Sequence, residues 1–194
     1  MLTILGVYHL SSISERDHGA KWYPQAFESI SAIAGAYYMS ARTVAGVVAA
    51  LSPRNKWERN LIDAEQLIRI YKAAGREDAS DYKVCTFNSN KAKALQILDQ
   101  DPTDPQRIRD ILSGPKLVEF FNCITGDVDE VCIDGHAYSI WAGDRITLDK
   151  IPSIGVKLRA KIKADYREAA RIVKVCPSQM QATTWLTWRR LHGL

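Results

Sequence analysis

No close pair of cysteines exists in this chain. The four stand at positions 85, 123, 132 and 176, separated by 38, 9 and 44 residues. The paired spacing that opens a zinc or iron–sulfur site is therefore missing, and no metal or other cofactor is expected. Cys123 and Cys132 are flanked by Phe121, Ile124, Val131 and Ile133, where a reduced thiol packs as a small hydrophobe. Long apolar runs are also missing. The longest, Val44 to Leu51, is far short of the ~20 residues a membrane helix needs. The opening MLTILGVYHL lacks the basic flank and cleavage pattern of a secretory signal. The expectation is a cytoplasmic monomer with no membrane partner. Charge of one sign is not in large excess: 26 basic against 22 acidic residues give +4, which permits a polyanion partner without demanding one. No internal repeat is visible.

What is present is a chain of 194 residues, 46% hydrophobic and 25% charged, enough for one well-packed domain or two small lobes. Apolar residues recur three and four apart, as in Trp57–Leu61–Ala64–Leu67–Ile68–Tyr71 and Leu95–Leu98, and no convincing sheet can be built. The fold class expected is all-α. The periodicity predicts helices near 3–14, 19–36, 40–51, 56–73, 90–99, 104–112, 115–125, 135–142, 156–174 and 178–191, broken at Pro53, Gly75, Pro102, Gly126 and Pro177. Asn90 is an expected N-cap. So is Asp104, followed by Pro105 at the first helical position.

Three segments carry chemistry. ILSGPKLVEFFNCI, Ile111 to Ile124, reads as helix, tight turn, helix, with Lys116 just after the turn. A glycine turn lets backbone approach backbone, and the N–H groups opening the second helix can grip a phosphate through Ser113, Gly114 and Pro115. VCIDGHAYSIW places Asp134 at a helix start beside an apolar run, 18 residues after Lys116. Asp134 suits an N-cap, and a carboxylate there can equally do chemistry. Lys116 is either a nucleophilic amine or a phosphate contact. ALSPRNKWERN turns at Pro53 and exposes Arg54, Asn55 and Lys56 ahead of the helix that carries Trp57.

Together these segments resemble the core signature of the helix-hairpin-helix DNA glycosylases, the endonuclease III-like superfamily, over roughly residues 40 to 142. The resemblance implies a two-lobed helical fold with a DNA-binding cleft, its lobes near 38–128 and 1–37 plus 129–194. It implies a partner in DNA and an enzyme that flips out one nucleotide, hydrolyses its N-glycosidic bond and leaves an abasic site. Asp134 and Lys116 would be the catalytic pair, with Lys116 able to form the Schiff base of a lyase. Arg54 would fill the gap left by the extruded base, with Asn55 and Lys56 beside it on the DNA. Ser52, Trp57, His136 and Tyr138 are the expected base-pocket residues, His136 in a supporting role and Trp141 a further aromatic candidate. The chain departs from the pattern in carrying Leu112 where the hairpin usually has a glycine, Pro115 before the lysine, and only Cys176 in place of a four-cysteine cluster. This small form looks like a branch found in bacteriophages and bacteria. That points to a damaged base, or to a hypermodified pyrimidine such as glucosylated hydroxymethylcytosine of phage DNA and an antiviral defence role.

Two other functions fit the same residues: a helix-hairpin-helix module that binds DNA without catalysis, and a metal-dependent nuclease using Asp127, Asp129, Glu130 and Asp134. Toward the C-terminus, Arg159, Lys163, Arg167 and Arg171 recur every four residues and read as a solvated basic face. Trp185 and Trp188 are expected to pack the terminal lobe.

Overall fold

The computed structural model describes residues 3–101, 103–147 and 149–194; Pro102, expected as a helix breaker, lies outside them. Among the described residues every regular element is helical: α1 (Ile4–His9), α2 (Ile13–Ala36), α3 (Ala41–Leu51), α4 (Trp57–Ala74), α5 (Arg76–Asp81), α6 (Asn88–Gln100), α7 (Pro105–Leu112), α8 (Pro115–Ile124), α9 (Gly135–Ala142), α10 (Val156–Val173) and α11 (Pro177–His192). The chain divides into two compact units. A terminal unit takes Met1–Gln25 with Gly126–Leu194, and a middle unit takes Ala26–Thr125. The first division falls inside α2, next to Pro24, which has no N–H to give to the preceding turn.

The middle unit is built around α3, which packs on α4, α6, α7 and α8. Every residue from Thr43 to Leu51 is buried, and the small side chains in ARTVAGVVAAL let neighbours come close. A Cβ added at Gly46 would lie 2.8 Å from Ile108 Cγ2 and 3.2 Å from Ile97 Cδ1, so α6 and α7 press on α3 where only hydrogen fits. Leu67, Ile68, Ile97, Ile108, Leu112 and Phe121 are fully buried, each such side chain contributing about 1.5–3 kcal/mol by leaving water.

The terminal unit has its own core, in which Val7 and Tyr8 of α1, Ile133, Ala137 and Ile140 at α9, Ile162 and Tyr166 of α10, and Met180 and Trp188 of α11 close on one another. The first half of α2 lies against α11, where Gly19 approaches Thr183 so closely that a Cβ would meet its Oγ1 at 2.1 Å. Cys123 and Cys132 are buried and outside any disulfide.

Three helix boundaries differ from the periodicity. The stretch expected as one helix over 3–14 breaks after His9 and restarts at Ile13, because Ser12 and Glu15 form a reciprocal capping box. The Glu15 amide donates to Ser12 Oγ at 3.1 Å, and the Ser12 amide donates to Glu15 Oε2 at 2.7 Å. Asn90 is not an N-cap: α6 begins at Asn88 with Phe87 as its extended flanking residue. Thr86, just ahead, is tied to the Pro53 carbonyl at 2.9 Å, so a tertiary anchor sets that start. The short α5, unforeseen, follows Gly75 at φ 92°. Asp104 does cap α7, accepting from the Gln106 amide, with Pro105 at the first helical position.

Candidate functional site

In the terminal unit, Asp134 is the N-cap of α9. Its backbone is extended, with φ −101° and ψ −173°, and its side chain receives the Ala137 amide at Oδ1, 2.8 Å away. One carboxylate oxygen is used in this way while the residue stays half-buried. That bond holds the group at the helix start. His136 and Tyr138, on the first turn of the same helix, are also half-buried, and the Tyr138 ring sits 5.8 Å from that of Trp141.

The residues ahead of Asp134 are anchored by the basic stripe of α10. Arg159 Nη1 donates to the Ile133 carbonyl at 3.1 Å, Lys163 Nζ to Glu130 Oε1 at 2.7 Å and Arg167 Nε to the Asp129 carbonyl at 3.0 Å. The expected solvated face is therefore corrected for Arg159 and Lys163, which are half-buried, while Arg167 stays exposed and Arg171 pairs with Glu168 at the surface. The same contacts bear on the acidic group Asp127, Asp129, Glu130 and Asp134. Glu130 is paired with Lys163, Asp127 Oδ1 accepts the Asp129 amide, and among the described residues no three metal-ligating side chains gather closely enough to hold an ion.

In the middle unit, α7 and α8 form the hairpin. The left-handed residue of the turn is Ser113, at φ 52°, while Gly114 is extended at φ −81°. A Cβ on Gly114 would meet nothing nearer than 3.8 Å, so the fold itself does not require glycine there. The left-handed conformation of the turn falls on Ser113 and not on the glycine. Pro115 opens α8 and no side chain caps its start. Helix starts leave N–H groups without intrahelical acceptors and suit an anion. Lys116, next in the chain, is half-buried. The turn is braced from α6 by Lys93, whose Nζ donates to the Leu112 carbonyl at 2.5 Å and to Ser113 Oγ at 3.0 Å.

The loop between α3 and α4 belongs to this unit as well. Ser52 ends α3 with its hydroxyl on the Ala49 carbonyl at 2.9 Å. Arg54 is exposed, left-handed at φ 56°, and its guanidinium lies 5.2 Å from the ring centre of Phe87. Lys56 is exposed. Asn55 turns inward instead, giving its amide to Asp63 Oδ2 at 3.1 Å. Trp57 meets Phe120 of α8 edge to face at 6.5 Å, so the loop and the second hairpin helix share a contact. Lys116 thus belongs to the middle unit and Asp134 to the terminal one.

One family of unknown function, DUF7178, matches residues 1–192. The chain belongs to that family. No curated protein and no solved structure matches it. In this DUF7178 chain, sequence reasoning missed Asp63, which is fully buried. Asp63 accepts from Asn55, from Arg59 Nε at 2.8 Å, from the Tyr82 hydroxyl at 3.4 Å and from the Cys85 amide at 2.8 Å. Its neighbourhood pushes the Tyr82 phenol up, through burial first and the Asp63 charge second, and the bond from Arg59 raises that guanidinium. The hub joins the loop before α4 to the loop before α6. The one local signal for it was Arg59 and Asp63 four apart, a pair that reads as ordinary helix-surface charge.

Among the described residues no helix is long and apolar enough to cross a membrane.

Proposed function

We propose that the protein is a DNA N-glycosylase. The observation that carries this reading is Asp134, a half-buried carboxylate fixed by one oxygen at a helix start and braced from α10 on the residues before it. It is supported by an uncapped hairpin helix with a lysine in its first turn and by an exposed arginine lying on an aromatic ring. In this reading the hairpin takes a DNA phosphate at Ser113, Gly114 and Pro115. Arg54 enters the space of the flipped nucleotide, with Lys56 on the adjoining backbone. The bond between C1′ and the base nitrogen breaks with its electron pair on the base. The Asp134 carboxylate steadies the cationic sugar and takes the proton of the water that attacks C1′. His136 and Tyr138, on the helix that Asp134 opens, line the base, and the substrate is a damaged base or a hypermodified pyrimidine such as glucosylated hydroxymethylcytosine, the latter giving a defence role against phage. Lys116 adds a lyase step if its amine displaces the base in place of water.

The test is mass spectrometry of bases released from a panel of normal, damaged and phage-modified DNAs by the parent and by Asp134→Asn. Asparagine caps a helix about as well as aspartate, so the variant keeps the fold while losing the carboxylate. Release is expected to fall by about 10²–10⁴-fold. Equal release by parent and variant would remove Asp134 from the chemistry, no release by either would leave a protein that binds DNA without catalysis, and strand cleavage with no released base would replace excision by a nuclease. Borohydride trapping on DNA reads Lys116 separately: a covalent adduct is expected from a lyase and none from an enzyme that only hydrolyses.

A further inference from the structure

Five side chains of α10 reach the stretch that carries Asp134. Arg167, Lys163 and Arg159 hold Asp129, Glu130 and Ile133 in turn. On the other side of the aspartate, the Tyr166 hydroxyl donates to the Ala137 carbonyl at 3.3 Å and Asp165 Oδ2 accepts the Trp141 indole N–H at 2.6 Å. The Asp165 bond is seconded by Lys161, which pairs with the same oxygen at 2.9 Å. The Ile133 carbonyl belongs to the peptide group that joins Ile133 to Asp134. Rotating that peptide turns the Asp134 backbone and swings its carboxylate, so the guanidinium that fixes the carbonyl also fixes where the acid points.

We propose that Arg159 is a positioning residue that sets the direction of the Asp134 carboxylate, with Lys163 and Arg167 holding the approach to it. The consequence for catalysis rests on the base-excision reading above; the consequence for geometry does not. An alternative use for three cations in a row on one helix is to grip DNA phosphates. Here each gives a hydrogen bond to a carbonyl or carboxylate of its own unit.

The experiment compares full-length parent with Arg159→Met and Arg159→Lys in three measurements. The first is amide hydrogen exchange at Ala137, whose N–H is the one held by Asp134. The second is the single-turnover rate of base release from a short duplex carrying one glucosylated hydroxymethylcytosine. The third is the salt dependence of binding to that duplex. A misplaced catalytic group costs up to about a hundredfold in rate. Arg159→Met is expected to raise Ala137 exchange several-fold and to slow release by about tenfold at unchanged Kd and salt slope. Arg159→Lys, which can still donate to the carbonyl, is expected to recover most of both. Unchanged Ala137 exchange in Arg159→Met overturns the proposal. So does weaker binding with a shallower salt slope at an unchanged rate, which would make Arg159 a phosphate contact. If Arg159→Met fails to fold, Arg167→Met is read in the same way on the Asp129 end of the stretch. If the parent releases no base from any DNA, the excision reading fails, while faster Ala137 exchange in the variant still upholds the positioning role.

Discussion

The helix start at α9 in the terminal unit carries its own anion, whereas the start of α8 in the middle unit carries none. Asp134 occupies the first with its carboxylate. At α8 the flanking residue is Gly114, with no side chain to give. Their supports differ in the same sense. Five side chains of one helix fasten the stretch around Asp134, while the hairpin turn is held from α6 by Lys93. A helix N-terminus filled by its own acid has no need of an outside anion and can present that acid to a cation. One left open by glycine and proline favours an anion from outside. The proposed base excision assigns the two starts accordingly, phosphate to the open one and positive charge to the filled one.

Both units also bury carboxylates, Asp63 and Glu119 in the middle one and Glu130 in the terminal one, and between Asp63 and Glu130 the comparison can be broken most forcefully. Glu130 is partnered by a cation, Lys163, and by its neighbour's amide, both bonds falling on Oε1. Asp63 takes three uncharged donors and Arg59, whose side chain is half-exposed. Asp63→Ala should cost about 3 kcal/mol, most of it from the uncharged donors left without an acceptor, since the Arg59 share is screened by solvent. Glu130→Gln keeps an acceptor and loses only the charge, so about 1–2 kcal/mol is expected. Urea unfolding followed by tryptophan fluorescence ranks them. A larger loss at Glu130 would mean that the ion pair, rather than the uncharged network, dominates.

Gly114→Ala is the next step down in stability and the sharpest test of the open helix start. Its backbone is extended and the nearest atoms to a new Cβ are 3.8 Å away, so unfolding free energy should move by no more than about 0.5 kcal/mol. If the hairpin receives a DNA backbone, the added methyl stands in its path, and affinity for duplex should fall with the fold intact. Unchanged affinity would put the phosphate elsewhere.

The reason this test exists shows what the sequence could and could not say. The pattern LSGPKL announced a turn between two helices, because proline and glycine punctuate helices by rules local to the chain. It pointed to Gly114 as the special backbone, whereas the left-handed residue is Ser113. The α10 stripe was equally visible at its four-residue spacing, but periodicity says which side chains share a face and is silent on what lies opposite. Glu130 and the Ile133 carbonyl supply the answer only in three dimensions. Asp63 was harder still, with partners drawn from 4 to 22 residues away along the chain, no two of which form a motif. By contrast Asp104 with Pro105 could be read directly, since a cap and its helix are neighbours in sequence.

The smallest effect concerns the capping box that splits α1 from α2. Glu15 serves twice there, accepting the Ser12 amide on Oε2 and Arg190 Nε on Oε1 at 2.7 Å. The bond from Arg190 holds the Glu15 carboxyl below its ordinary value of 4.5, against an opposing push from burial. A carboxyl whose value is lower in the folded chain binds fewer protons there than when unfolded. Stability from it is therefore complete above about 4.5 and is lost as pH falls through the lowered folded value. Glutamine retains the acceptor that a capping box requires, so Glu15→Gln should keep the helix break and abolish this part of the acid dependence. Because Arg190 is half-exposed, the difference between parent and variant at neutral pH should be no more than about 1 kcal/mol. It should shrink as the solution is acidified below 4.5. Thermal midpoints of the two proteins measured from pH 7 downward give the answer: converging curves support a charged contact that joins the start of α2 to the end of α11, and parallel curves would reduce Glu15 to its cap alone.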